Sequence, residues 1–217
     1  MNLFIVENND LLVEAITRMI NQHPAFPDLV VTGYAITRAE ALNTIATAQP
    51  NIVLLDLSIA AGAGGAPHPQ HGLALLHDLR RLVNPPRVLV YSQWHQPYYL
   101  WAVWEAKAQG FLEKDTSSAA LIAALKRVMA GEYAFTSAQL QMIQQRKSLP
   151  ELTAREQEVL KLLAQGLNYE EIAPTLNISK GTVRTHIRNL FDKSGTRSRW
   201  ELVTTAHRLG LLQHEVG

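Results

Sequence analysis

The stretch PNIVLLDLS, residues Pro50–Ser58, decides the fold of the first half of the chain. Its apolar run, Ile52–Leu55, ends directly on an acidic residue, Asp56. A strand that is apolar on both faces is typical of a parallel sheet covered by helices on both sides, in which polar groups collect at the carboxyl ends of the strands. The stretch therefore predicts a buried parallel strand with a functional carboxylate at its end.

The segments on either side of this strand repeat the same alternation up to residue 131. Four other short apolar runs are predicted strands: Leu3–Val6, Leu29–Val31, Arg87–Tyr91 and Gly110–Leu112. Helical periodicity is present at 10–22, 37–48, 72–83, 97–107 and 116–131. Five β-α repeats predict an α/β domain over 1–131, with a doubly wound five-stranded parallel sheet.

The strand signals stop after Gly131, and the rest of the chain is predicted to be helical. Residues 132–151 are predicted to be a short helix, at 137–146, followed by a linker, and 152–217 a separate all-α domain. Capping-box pairs mark three helix starts in that domain: Thr153 with Glu156, Asn168 with Glu171, and Ser198 with Glu201. Ser179 is predicted to cap a further helix, 179–193, and Gly166 to end the first helix of the domain.

Composition limits the functions that the chain can have. With 20 Lys and Arg against 19 Asp and Glu the net charge is +1, so any affinity for nucleic acid must come from a local basic patch. The absence of cysteine excludes disulfides and thiolate zinc sites. No apolar stretch is long enough to span a membrane, and the first residues read directly into a strand without a signal peptide. We expect a cytoplasmic protein with no membrane partner.

The predicted helix 179–193 concentrates positive charge on one face. Val183, Ile187 and Leu190 share an apolar face, whereas Arg184 and Arg188 lie one turn apart on another. The basic residues of this region are Lys180, Arg184, Arg188, Lys193, Arg197 and Arg199, and its one acid is Asp192. Arginines suit guanine edges in the major groove, and lysines suit phosphates. On charge alone, a solvated basic face and a DNA-binding helix both remain open.

Four segments of the second half decide between these alternatives by resemblance. They are Leu152–Leu160, Ala164–Leu167, Glu171–Ala173 and Ser179–His186. They resemble, without a gap over 152–209, the LuxR-type helix-turn-helix, in which Pro174 inside the second helix is a departure. The resemblance implies that Arg184, Thr185 and Arg188 face bases. It also implies that Lys180, Thr182 and Lys193 lie near phosphates, and that the last helix, about 198–209, contributes to a homodimer on double-stranded DNA.

Polar residues also follow the predicted strands of the first half: Glu7, Asn8, Asp56, Ser92 and Lys114. With the segments Pro50–Ser58 and Gly110–Asp115, this constellation resembles the receiver domain of NarL/FixJ-type response regulators. In receivers a carboxylate attacks a phosphoryl group, whose charge is offset by Mg²⁺, a lysine and a hydroxyl. The resemblance implies the following roles: Asp56 as phosphoacceptor, Ser92 and Lys114 as phosphoryl contacts, Phe111 as switch aromatic, and Glu7, Asn8 and Asp56 as Mg²⁺ ligands. It also implies a sensor histidine kinase as partner.

Three departures from the receiver pattern put phosphorylation in question. Asn8 stands where a second acid is usual, so that Mg²⁺ binding should be weakened. Gln93 replaces a small residue, and the loop 59–71 is longer than usual. Its glycines lack the Lys that a nucleotide-binding loop needs, and its two histidines, His68 and His71, lack further metal ligands, so we expect a flexible loop. A relic ion pair between Asp56 and Lys114 is the alternative to a working phosphorylation site.

The aromatic residues of the predicted fourth helix, 97–107, form a second unusual feature. Tyr99, Leu100 and Val103 fit the core-facing stripe, which leaves Trp101 and Trp104 at least partly exposed. These two indoles either cover the seam between helix and sheet or form a partner surface.

Taken together, the sequence predicts a DNA-binding response regulator that acts as a dimer and has no catalytic residues of an enzyme. The main alternative is a regulator whose first domain serves dimerisation or partner binding without phosphorylation. A phosphohydrolase with an aspartate nucleophile is a more distant alternative. Such enzymes generally need a second acid two residues after the nucleophile, where this chain has Ser58.

Overall fold

The computed structural model describes residues 1–212, which form two compact units: the first contains Met1–His95 and Tyr99–Ser137, and the second contains Gln96–Tyr98 and the described residues from Ala138 on. The first unit therefore extends past the predicted domain end at 131. The reason is that the segment after the last helix of this unit packs back on the sheet: Ala134 bridges to Gly110, and its amide donates to Gln109 O at 2.7 Å.

The first unit contains a five-stranded parallel sheet with the order β2-β1-β3-β4-β5. The strands are β1 Asn2–Val6, β2 Val30–Ala35, β3 Ile52–Leu55, β4 Arg87–Ser92 and β5 Gly110–Glu113. The helices are α1 Asp10–Gln22, α2 Arg38–Ala48, α3 Pro69–Leu79, α4 Pro97–Glu105 and α5 Ser118–Met129. The predicted α/β doubly wound sheet is confirmed.

The register of the three central strands aligns their carboxyl ends. Leu55 lies beside Val6 of β1 and beside Val90 of β4. One face of the sheet packs on α1 and α5, where side chains such as Ile16 and Leu125 are buried. Because the strands are buried on both faces, polar side chains are accommodated only at the strand ends. The carboxyl ends of the strands meet at one edge of the sheet.

The loop 59–71 is held by hydrogen bonds, which corrects the expectation of a flexible loop. Ile59 and His68 form an antiparallel bridge, and Ala60 accepts from Arg38 N at 2.8 Å at the start of α2. His68 then caps α3, which begins at Pro69 rather than at 72, because its Nδ1 accepts from Gln70 N at 3.2 Å. The sequence gave no sign that a histidine would serve as this cap.

The second unit is all-α, as predicted. Its helices are α6 Ser137–Lys147, α7 Ala154–Ala164, α8 Tyr169–Thr175, α9 Lys180–Ser194 and α10 Arg199–Arg208. Its core consists of apolar residues from α7 to α10, among them Leu160, Ile172, Ile187 and Leu202.

The predicted caps of the second unit form with one exception. The capping boxes Thr153 with Glu156 and Asn168 with Glu171 are complete, and Ser179 caps α9. Ser198 accepts from Glu201 N, but Glu201 accepts from Arg197 N rather than from Ser198 N, so this box is only half formed. Gly166 ends α7 with a positive φ of 98°, and Pro174 lies inside α8.

Across residues 1–212, no helix has the length and apolar character that crossing a membrane would require.

Candidate functional site

Asp56 lies at the end of β3 and is almost completely buried. Its Oδ1 accepts from Ser92 Oγ at 2.6 Å, and its Oδ2 is 2.8 Å from Lys114 Nζ. The same ammonium is 2.5 Å from Oε2 of Glu7, which is also buried. Both oxygens of Asp56 are therefore engaged, and Lys114 links the two buried carboxylates.

Burial and ion pairing have opposite effects on the pKa values of the charged groups in this pocket. Burial raises the pKa of the Glu7 carboxyl, and the hydrogen bond and charge of Lys114 oppose this only in part. Burial alone would lower the pKa of the Lys114 ammonium, but Asp56 and Glu7 together outweigh it and raise that pKa. Lys114 is thus held in its charged form, as the cation of the pocket.

The other predicted pocket residues differ in their exposure. Phe111 is buried in the core beside the pocket, at 1 % exposure. Asn8 and Gln93 are both exposed. The acidic groups inside the pocket are therefore the carboxylates of Glu7 and Asp56.

A strong metal site would need more acidic or nitrogen ligands than this pocket offers. No cluster of three or more His, Cys, Asp or Glu side chains suited to a metal ion is present in residues 1–212. His68 and His71 lie near each other, with ring centroids 5.9 Å apart, but the Nδ1 of each is engaged with a backbone group. In the pocket, the ammonium of Lys114 lies between the two carboxylates and contacts one oxygen of each.

The helix α9 carries the predicted nucleic-acid interface. Val183, Ile187 and Leu190 are buried against α7, α8 and α10, as predicted from their spacing. The side chains assigned to bases and phosphates point away from this core. Five of them are exposed: Lys180, Thr182, Arg184, Thr185 and Arg188.

Several of these exposed residues also have partners inside the unit. Thr182 contacts the capping Ser179 at 2.8 Å between the hydroxyl oxygens, and Thr185 donates to Gly181 O at 3.1 Å. Lys180 Nζ is 2.7 Å from Glu170 Oε1 of α8. Within residues 1–212, Arg184 and Arg188 make no hydrogen bond or close ion pair, so their guanidinium groups are available for an external ligand.

Lys193 is placed differently from the other predicted DNA contacts, because it is partly buried and contacts α7 and the segment that precedes α7. Its ammonium donates to Glu151 O at 2.8 Å and to Glu156 Oε2 at 2.7 Å. Glu156 is the third residue of α7 and accepts in its capping box, as predicted, but its burial was not predicted from the sequence. The ammonium of Lys193 satisfies a buried carboxylate in the free protein, and its contact with a phosphate stays a prediction.

The aromatic residues of α4 are placed as their spacing predicted. Tyr99, Leu100 and Val103 are buried, whereas Trp101 and Trp104 are partly buried. Trp104 packs against Tyr133 and Phe135, with ring centroids 5.8 and 5.4 Å apart. These contacts favour a covering role for Trp104, and a partner surface at Trp101 stays a hypothesis.

Comparison with known protein families agrees with both halves of this description. A family of response regulator receiver domains matches residues 3–126, which is more than half of the chain. The luxR family of bacterial regulatory proteins matches residues 150–206. The chain is a response regulator with a LuxR-type DNA-binding domain. The match covers the segments that carried both resemblances in the sequence.

Curated relatives of this response regulator span its whole length. It is 27% identical over 209 residues to the transcriptional regulatory protein DesR of Bacillus subtilis, covering 96% of this chain and 98% of that protein. It is 26% identical over 215 residues to the nitrate/nitrite response regulator protein NarL of Escherichia coli, covering 95% and 94%. Both relatives are regulators, and this response regulator binds DNA and regulates transcription.

Solved structures similar to this response regulator share its fold. The RcsB response regulator of Salmonella typhimurium superposes with a TM-score of 0.70 at 22% identity, covering 94% of this chain and 98% of that one. A structure of two RcsB dimers bound to two parallel DNAs gives a TM-score of 0.68 at 21% identity, covering 94% and 97%. At this identity the likeness concerns the fold alone.

Proposed function

We propose that α9 enters the major groove of double-stranded DNA and reads its sequence. The observation that carries this proposal is that one face of α9 is buried in the core while another face presents two exposed arginines, Arg184 and Arg188. Arg184, Thr185 and Arg188 read base edges, where a guanidinium can make two parallel hydrogen bonds to guanine. Lys180 and Thr182 contact phosphates and fix the orientation of the helix.

The regulator acts on DNA as a homodimer, with α10 contributing to the dimer contact. Leu202 and Ala206 of α10 are buried in their own unit, whereas Trp200 is 76% exposed and is the large apolar side chain that α10 offers to a partner. The RcsB structure with DNA contains dimers of that protein, which agrees with this assignment. Because a regulator of transcription must reach DNA, we place it in the cytoplasm.

The receiver unit provides the input, with Asp56 as the phosphoacceptor and a sensor histidine kinase as the donor. Ser92 and Lys114, which already bond the two oxygens of Asp56, would hold the phosphoryl oxygens. Phe111, buried beside the pocket, would follow the change as the switch aromatic. A resting pocket that is closed by Lys114 should take up phosphate slowly, because the ion pair with Asp56 must open first.

Mg²⁺ would bind this pocket only weakly. Glu7 and Asp56 are the carboxylates that would hold it, with the amide oxygen of Asn8 as a third ligand without formal charge. A bound Mg²⁺ would offset the charge of the incoming phosphoryl group. In the structure Lys114 supplies the positive charge between the two carboxylates instead, and Asn8 is exposed.

A titration with acetyl phosphate or beryllofluoride, in the presence of Mg²⁺, tests this function. Dimerisation would be followed by sedimentation, and binding to a promoter duplex by fluorescence anisotropy. We expect both to increase, with a requirement for high donor concentration. If saturating donor changes neither quantity while the protein still binds its duplex, the receiver serves dimerisation or partner binding without phosphorylation.

A further inference from the structure

Glu170 is an acidic residue placed among the cations of the proposed DNA-binding face. It lies in the first turn of α8, and its Oε1 is 2.7 Å from the ammonium of Lys180 at the start of α9. Both side chains are largely exposed, at 74% and 58% for Glu170 and Lys180. The ion pair therefore lies on the surface that α9 would present to DNA.

A second cation of this face also acts on Glu170. The pKa of its carboxyl is lowered mainly by the hydrogen bond and charge of Lys180, and to a smaller extent by the charge of Arg184. Glu170 therefore lies within electrostatic reach of one proposed phosphate contact and one proposed base contact.

The fold does not require the Glu170 carboxylate. The capping box of α8 uses the neighbouring acid, Glu171, whose Oε2 accepts from Asn168 N at 2.7 Å. Glu170 contributes its backbone amide, which donates to Asn168 Oδ1 at 2.8 Å. A neutral side chain at 170 would leave all of these bonds in place, and an exposed ion pair contributes little to stability.

The carboxylate should oppose DNA binding, because it carries a negative charge like that of a phosphate. It occupies the ammonium of Lys180 in the free protein, and on the complex it would repel the phosphate that Lys180 contacts. Neutralising phosphates with lysine and arginine supplies most of the affinity that does not depend on sequence. An acid here lowers that part of the affinity, whereas base contacts by Arg184 and Arg188 are retained at the correct site.

From these contacts we propose that Glu170 is a specificity-determining residue of the DNA-binding face, which competes with DNA phosphates for Lys180 and weakens binding to duplexes of any sequence. The proposal rests on the placement of α9 in the major groove given above. Because Glu170 weakens the contacts with phosphates, base contacts supply a larger share of the DNA affinity. That share is larger than the number of basic residues would suggest.

The test compares Glu170→Gln with the wild-type full-length regulator on a duplex of random sequence over a range of salt concentrations. We expect roughly two- to tenfold tighter binding at low salt, and a slope of log K against log salt that is steeper by about one, as for one added phosphate contact. Glu158→Gln is the matched control. It removes the same charge from an exposed ion pair of α7, that with Arg155 at 2.7 Å, and should change the affinity much less.

A second pair of variants assigns the effect to Lys180. Lys180→Gln should weaken binding more in the Glu170→Gln background than in the wild type, because in that background no carboxylate competes with the phosphate for the ammonium. Equal effects in the two backgrounds, or equal affinities of Glu170→Gln and Glu158→Gln, would overturn the proposal. So would a loss of affinity in Glu170→Gln confined to the specific site, since that result would make Glu170 a reader of a cytosine amino group.

The double variant Arg184→Ala, Arg188→Ala separates this proposal from the placement of α9. If the double variant binds the specific duplex as well as the wild type, the placement itself is wrong. If it binds weakly while Glu170→Gln changes nothing, the placement stands and only the role of Glu170 is wrong.

Discussion

The ammonium of Lys193, near the end of α9, lies 2.7 Å from the carboxylate of Glu156, at the start of α7. The carboxylate is only 3% exposed and also accepts from Thr153 N at 2.8 Å, so a single acid caps one helix and holds another. A buried charge that loses its partner is costly, because its desolvation is no longer compensated. The pair therefore has consequences for stability that can be measured.

Replacing Lys193 with methionine should destabilise the second unit. The aliphatic stem is kept while Glu156 loses its cation, and we expect a loss of about 1–3 kcal/mol in the free energy of unfolding. Urea unfolding followed by circular dichroism would measure it, and the double variant with Glu156→Gln should recover part of the loss. Unchanged stability with uniformly weaker DNA binding would instead make Lys193 a phosphate contact.

The same pair predicts how the second unit responds to acid. Burial alone would raise the pKa of Glu156, but the bonds from Lys193 and Thr153 together lower it below the usual value of 4.5. A carboxyl whose pKa is lower in the folded than in the unfolded state stabilises the fold above the unfolded pKa. That contribution is lost as the pH falls through the folded pKa. In Glu156→Gln the acid-induced loss of stability should be smaller, as measured by thermal unfolding between pH 6 and about pH 3.

If α9 reads base edges, substitution of its arginines should change the DNA sequence specificity. Arg184→Ala or Arg188→Ala should each weaken binding at the specific site by about 1–3 kcal/mol and relax the preference for one base pair. Both side chains are exposed, so the fold should be unaffected. Competition between the specific duplex and single base-pair variants would measure the change. An unchanged order of preference among the duplexes would contradict direct reading by these arginines.

Restoring an acid beside Glu7 should strengthen the receiver pocket. In Asn8→Asp a third carboxylate joins Glu7 and Asp56, so Mg²⁺ binding and phosphate uptake from small-molecule donors should both increase. Phosphate uptake would be measured by Phos-tag electrophoresis, with Asp56→Asn as the blank, and Mg²⁺ binding by calorimetry. Ready phosphorylation of the wild type, with no gain in Asn8→Asp, would show that Asn8 does not limit the pocket.

The close approach of Gly72 to the strand end predicts an intolerant position. A Cβ atom at 72 would lie 2.4 Å from Leu57 Cα and 2.5 Å from Leu57 O, and Leu57 directly follows Asp56, the proposed phosphoacceptor. Gly72→Ala should therefore cost on the order of 3 kcal/mol in stability and displace Asp56. Gly62→Ala, in the loop that precedes α3, is the control, because nothing lies within 4 Å of a Cβ atom added there. Equal melting temperatures for the two variants would contradict the argument.

The strands and most helices of this regulator could be predicted because their signals are local. Ile52–Leu55 was predicted to the residue, and the helix 10–22 likewise, since an apolar run and a helical period are each read from a few neighbours. The edge strand β2 was predicted too short: its exposed residues, among them Thr32 and Tyr34, break the apolar run that marks the central strands.

Pairings between distant residues were harder to predict than the elements themselves. The approach of Lys114 to Asp56 followed from the parallel order of the strands, because the ends of β3 and β5 lie at one edge of the sheet. No sequence pattern indicated the contact of Lys193 with Glu156, since this contact depends on how α7 and α9 pack. The bonded form of the loop 59–71 depends in the same way on backbone groups of α2, which sequence patterns do not report.

Lys114 contacts both Glu7 and Asp56, and this arrangement changes how the non-phosphorylatable variant Asp56→Asn should be interpreted. At neutral pH two carboxylates and one ammonium share the pocket, so Asp56→Asn converts an excess negative charge into a balanced pair of Glu7 and Lys114. Asp56→Asn thus removes the phosphoacceptor carboxylate and neutralises the pocket at the same time, and its gene expression phenotype would report a neutralised pocket rather than an idle one.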